Sequence, residues 1–148
     1  MKTFLVCDDS ESTLCDFEEV AESHNSGKMI GFASKDEMLG FMSNPANDIG
    51  DAVFFLDLQL KAEPDAGFEI LKLIRSSEKL SNLPVVIVTT ASEQKTINES
   101  YELGANAFVR KSDAPEEFRN DIAAMYNFWG GTSLHKDENV DSPPDVAA

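Results

Sequence analysis

At 148 residues, 42% of them hydrophobic and 9% aromatic, the chain is sized for one domain that builds its own core without disulfide or metal staples. Twelve basic against 27 acidic residues give a net charge of −15, which phosphate backbones repel, so no nucleic-acid partner is expected. No apolar run is long enough to span a bilayer, acids follow the short apolar N-terminus at once, and Cys7 and Cys15 lack metal or redox spacing, so the expectation is a reduced cytoplasmic protein with no membrane association.

In chain order, Thr3–Cys7 reads as a buried strand, followed from near Ser10 by a helix with Leu14, Phe17 and Ala21 on one face. Met29–Ala33 is the second strand. Ser34 and Glu37 then form a capping box for a helix through Met42. The third strand, Ala52–Leu56, is AVFFL, a continuous apolar run of the kind covered on both faces. A helix over roughly Phe68 to Ser77 turns Ile70, Leu71 and Ile74 inward, and Val85–Val88 is the fourth strand. Next come a helix from about Glu93 to Leu103, closed by Gly104, and a strand over Ala107–Val109. Asp113 with Glu116 caps the last helix, Pro115 sits in its first turn, and Phe118, Ile122, Met125 and Trp129 mark its apolar face up to Gly130-Gly131. Residues 1–129 therefore read as one domain and 130–148 as a disordered acidic tail.

Strict alternation of strand and helix predicts a doubly wound α/β domain, a parallel sheet with helices on both faces. In such sheets ligands bind beyond the carboxyl ends of the strands. The residues left there are Asp8, Asp9 and Ser10 after the first strand, Asp57 after the third, Thr89 and Thr90 after the fourth, and Lys111 after the fifth. Each has an ordinary alternative: Asp9 near a helix N-terminus, Asp57 opening a turn, Thr89 as a β-branched strand residue. Together they demand four coincidences at one sheet edge. Three clustered carboxylates repel one another, and a hard divalent cation such as Mg2+ relieves them. Beside that cation Asp57 is a nucleophile towards phosphorus, with Lys111 and Thr89 placed for the equatorial oxygens.

The ordered set resembles the receiver domain of two-component response regulators, and the likeness covers about residues 2–129: the acid pair Asp8-Asp9, Asp57 in FFLDLQL, Pro84 to Thr89 in PVVIVT, and Lys111 closing GANAFVRK. The resemblance, closest to single-domain chemotaxis-type regulators, implies a flavodoxin-like (βα)5 sandwich with strand order 2-1-3-4-5. It implies phosphoryl transfer to Asp57 from a sensor histidine kinase or a histidine phosphotransfer protein, with Mg2+ held by Asp8, Asp9, Asp57 and the Gln59 backbone carbonyl. Thr89 would be the switch hydroxyl and Phe108 the switch aromatic, although Phe108 also fits as a plain core residue. Output through a downstream protein would use the face of the fourth helix, fifth strand and fifth helix, where Tyr101, Phe118 and Tyr126 are candidates alongside core or surface roles. The chain would then be a stand-alone phosphoacceptor assisting only its own phosphorylation and dephosphorylation, not an enzyme acting on other substrates.

Two departures stand out. Lys61 occupies a place usually held by Pro, and Gly67 lies ten residues after Asp57, so the intervening loop is two residues longer. Ser112 replaces the usual Pro after the lysine; a cis bond there costs about 2.5–4 kcal/mol, so the bond is either trans or strained. These departures support the alternative of a pseudo-receiver that binds proteins without being phosphorylated. A flavin protein is disfavoured by acids where a phosphate loop is needed, and a haloacid-dehalogenase-like phosphatase by Gln59 in place of a second Asp.

Overall fold

The computed structural model describes residues 2–24, 27–47, 49–61 and 63–131. Of the expected acidic tail, Gly130 and Gly131 are described, and residues 132–148 lie outside the described residues. Five parallel strands, β1 (Thr3–Cys7), β2 (Lys28–Phe32), β3 (Ala52–Leu56), β4 (Val85–Thr89) and β5 (Ala107–Arg110), form one sheet in the order β2-β1-β3-β4-β5. The helices are α1 (Glu11–His24), α2 (Lys35–Ser43), α3 (Ala66–Ser76), α4 (Gln94–Glu102) and α5 (Pro115–Tyr126), with a π-helical turn over Asn127–Gly131. No described helix is long and apolar enough to cross a membrane.

The pleat divides the core in two. Leu5, Cys7, Phe54, Leu56 and Ile87 face α2 and α3, where Met38, Ile70, Leu71 and Ile74 meet them. Phe4, Val6, Phe55, Val86 and Val88 face α1 and α5, packing on Phe17, Phe118, Ile122 and Tyr126. The phenol of Tyr126 is fully buried and donates to the Phe17 carbonyl at 2.9 Å, so Tyr126, like Phe118, is a core residue rather than part of an exposed face. Helix α4 is the exception: Ser100 is its one buried residue.

Several boundaries differ from the sequence reading, each for a local reason. Strand β2 starts one residue earlier because the Lys28 N–H donates to the Lys2 carbonyl, and it ends at Phe32 because the Ala33 N–H turns to Glu37 Oε1 at 3.2 Å. That bond displaces the reciprocal half of the capping box by one residue; the forward half, Glu37 N–H to Ser34 Oγ, stands at 3.2 Å. At α5 the N-cap is Ala114, not Asp113. Pro115 occupies the first helical position and forces the preceding residue into extended geometry, and Ala114 has φ −90° and ψ 118°. Gly104 closes the turn after α4 with φ +104°.

The loop after β3 contains two turns, closed by Glu63 N–H to the Leu60 carbonyl (3.0 Å) and Ala66 N–H to the Glu63 carbonyl (2.9 Å). Helix α3 then begins against the loop's own start. A Cβ on Gly67 would stand 2.6 Å from the Leu58 Cα, so only glycine allows this approach.

At the opposite, amino edge of the sheet, Arg75 ties α3 to the turns before β4 and β5. It donates to the carbonyls of Gly104 (2.9 Å), Ser81 (3.2 Å) and Leu83 (2.7 Å) and to Asn106 Oδ1 (2.8 Å). Asn106 in turn accepts from the Val85 N–H at 2.8 Å, pinning the start of β4.

Candidate functional site

The sheet ladder itself places the chemistry. The Asp8 N–H donates to the Phe32 carbonyl at 3.0 Å, the Asp57 N–H to the Cys7 carbonyl at 3.0 Å, and the Lys111 N–H to the Thr89 carbonyl at 2.7 Å. Each functional residue is thus the first beyond a strand, held by one further ladder bond, and parallel register brings all of them to one edge.

There Asp8, Asp9 and Asp57 each offer a carboxylate oxygen within 4.8 Å of the others. Asp8 is 2% exposed and Asp57 5%. Lys111 Nζ donates to Asp8 Oδ2 at 2.5 Å and to Asp57 Oδ2 at 3.1 Å. The remaining oxygens are held by backbone: Asp8 Oδ1 accepts from the Ser10 N–H and Asp57 Oδ1 from the Gln59 N–H, both at 2.9 Å. Asp9 Oδ2 accepts from the Lys61 N–H at 2.7 Å. The acids sit in an open depression of about 500 Å³.

One ammonium does not balance three carboxylates, and the proton affinities record the imbalance. Burial, aided by the Asp57 charge, raises the Asp8 pKa to about 6 against the opposing pull of Lys111. Burial works against the Lys111 ammonium, but Asp8 and Asp57 outweigh it and hold its pKa above the ordinary lysine value. Cys7, beneath the cluster, has its thiol pushed up to about 12 by burial and then by Asp8 and Asp57, which makes it an inert core thiol.

Of the residues singled out from sequence, Asp8, Asp9, Asp57, Gln59 and Lys111 meet in this depression. Thr89 does not line it: the side chain is fully buried, and its hydroxyl accepts from the Ala91 N–H at 3.5 Å. Thr90 lines it instead and donates to the Gln59 side-chain carbonyl. Phe108 is half-buried against the α2–α3 side of the core. The Lys111–Ser112 peptide is trans, and Ser112 Oγ accepts from the Ala114 N–H at 3.2 Å. Ser10, placed at this edge from the sequence, lines the depression, as do Lys61, singled out there only as a departure in the loop, and Thr13, which sequence reasoning missed. The Ser10 cap of α1, donated to by Thr13 N–H at 3.3 Å, was a usable signal, since it turns that helix start towards the acids.

A doubly wound sheet with strand order 2-1-3-4-5 and an acid cluster with a lysine at its carboxyl edge defines the class as receiver-like. The family model described as the response regulator receiver domain matches residues 4–123, and the chain belongs to that family of two-component signalling domains. Response regulator Rcp1 of Synechocystis sp. is 30% identical over 77 residues, 52% of this chain and 51% of that protein. The chain spans about half the length of the first curated relatives it matches. Among solved structures, the phosphorylated cyanobacterial phytochrome response regulator RcpA superposes with TM-score 0.80 at 23% identity, covering 90% of this chain and 96% of that one. The Mn(2+)-bound form of Rcp1 superposes with TM-score 0.73 at 24% identity, covering 90% and 98%.

Proposed function

We propose that this receiver accepts a phosphoryl group on Asp57 from a histidine kinase or a histidine phosphotransfer protein. The observation that carries the reading is the buried Asp57 carboxylate, with Lys111 Nζ 3.1 Å from one oxygen and the Asp8 and Asp9 carboxylates beside it. The excess of acid and the raised Asp8 pKa fit a divalent cation, which Asp8, Asp9, Asp57 and the Gln59 carbonyl would hold. When bound, Mg2+ supplies positive charge against the phosphoryl oxygens and the acids. A manganese ion in one structural neighbour and a phosphoryl group on another support the reading.

In the transfer, an Asp57 carboxylate oxygen forms the new P–O bond as the P–N bond to the donor imidazole breaks, and the ring nitrogen leaves with the electron pair. Lys111, now bridging Asp8 and Asp57, turns to a phosphoryl oxygen. Thr89 rotates from its bond with Ala91 towards another, and Phe108 follows into the space vacated. The surface of α4, β5 and α5 changes in response and is read by a downstream protein. That α4 buries only Ser100 supports its being the element that moves, since shallow packing resists displacement least. The protein acts on no other substrate; it assists its own phosphorylation and the hydrolysis that ends it.

The test offers acetyl phosphate with Mg2+ to the wild type and to Asp57→Asn, reading incorporation by intact mass. Incorporation in the wild type alone is the expected result. Equal incorporation in both moves the acceptor elsewhere, and none in the wild type leaves a protein-binding module.

A further inference from the structure

The loop after β3 puts a second lysine at the site. The Lys61 N–H donates to Asp9 Oδ2 at 2.7 Å, which fixes this exposed residue at the lip of the same depression as Asp57 and Lys111. The two lysines stand in different situations. Lys111 is committed to Asp8 and Asp57 at 2.5 and 3.1 Å, whereas the Lys61 ammonium makes no salt bridge among the described residues. An incoming phosphodonor is an anion approaching a protein of net charge −15 through a lip that carries Asp9. Lys111 cannot offset that repulsion from the floor while it neutralises two carboxylates.

Resting on the reading of Asp57 as acceptor, we propose that Lys61 is a specificity-determining residue that recruits dianionic phosphodonors to the lip. Its exposed ammonium pairs with the donor's phosphoryl oxygens before transfer and neither gives nor takes a proton. With acetyl phosphate, Asp57 forms the P–O bond, the P–O bond to the acetyl group breaks, and acetate leaves with the electron pair. The anchoring of residue 61 is through backbone, so changing its side chain leaves Asp9 held as before. An exposed charge acts modestly and is screened by salt.

The test uses the full chain at saturating Mg2+ and compares acetyl phosphate, a dianion, with phosphoramidate, a monoanion, at low and high ionic strength. For Lys61→Ala the second-order phosphorylation constant with acetyl phosphate falls about threefold to fivefold at low salt, less with phosphoramidate, and converges on wild type at high salt. Lys61→Arg retains the wild-type constant, and Lys61→Glu loses about tenfold. Mg2+ dissociation constants of Lys61→Ala and the wild type, measured by calorimetry, agree within about twofold. Equal constants for Lys61→Ala and wild type at low salt overturn the inference. So does an equal loss with both donors at every salt, since that is a change of loop shape. A wild type that incorporates nothing from either donor overturns the reading of Asp57 and the inference together, whereas incorporation without a Lys61 effect overturns the inference alone.

Discussion

At the carboxyl edge of the sheet three carboxylates cluster beside one largely buried ammonium that pairs with two of them, whereas at the amino edge the Arg75 guanidinium is ringed by neutral oxygens. Both edges draw charge out of water. At the amino edge the donors of Arg75 meet three main-chain carbonyls and one amide oxygen; burial lowers the Arg75 pKa, and the group stays charged. At the carboxyl edge three carboxylates meet one ammonium, and burial with the Asp57 charge raises the Asp8 pKa to about 6. Satisfaction of hydrogen bonds and neutralisation of charge are therefore separate conditions. A lone charge among neutral oxygens keeps its form, whereas like charges brought together shift one another's proton affinity.

The comparison breaks or sharpens in three ways, beyond the loss of phosphorylation in Asp57→Asn and the effects at Lys61. The largest stability effect belongs to the amino edge. Arg75→Ala strips the Gly104, Ser81, Leu83 and Asn106 oxygens of their charged donor and lowers unfolding free energy by about 3 kcal/mol in urea titrations, with Mg2+ affinity unchanged. A shift in that affinity would show that the two edges are coupled.

Removing the excess charge acts in the other direction. The folded-state pKa of Asp8 lies above its ordinary 3.8, so its contribution to stability is complete below about pH 4 and is lost as pH rises through 6. Asp8→Asn therefore stabilises the metal-free protein at pH 7 by on the order of 2 kcal/mol, flattens its stability between about pH 4 and 7, and weakens Mg2+ binding. Unfolding titrations across that range check the sign; an unchanged slope would place the imbalance elsewhere. The smallest effect serves as the control. Ser34→Ala, which removes the hydroxyl that accepts from the Glu37 N–H, costs about 1 kcal/mol with no added pH dependence, read in the same titrations.

Much of this was legible in the amino-acid order because the information is local. Thr3–Cys7 and Ala52–Leu56 are apolar runs bounded by polar residues, and their limits coincide with β1 and β3. Once strand ends are known, a parallel sheet delivers Asp8, Asp57 and Lys111 to one edge with no further knowledge. What sequence did not reveal depends on partners distant along the chain. The ties from Arg75 to Gly104 and Asn106 span about thirty residues, and the Lys61 bond to Asp9 spans fifty-two. Proline chemistry decided the α5 cap, where a favourable Asp113 lost its place to Ala114. Thr89 and Thr90 are alike in composition, and only the pleat tells which hydroxyl is buried and which lines the depression.

The two turns between Leu60 and Ala66 have a consequence for chain length. Both flanking side chains are buried, and the segment between them closes hydrogen bonds on itself. Gly67 is clamped against Leu58 on the far side, so the anchors hold whatever lies between. Residues added there cost little beyond loop closure, about 0.6 kcal/mol for each doubling of length. This is where the domain can absorb an insertion, natural or grafted, without carrying Asp57 out of register.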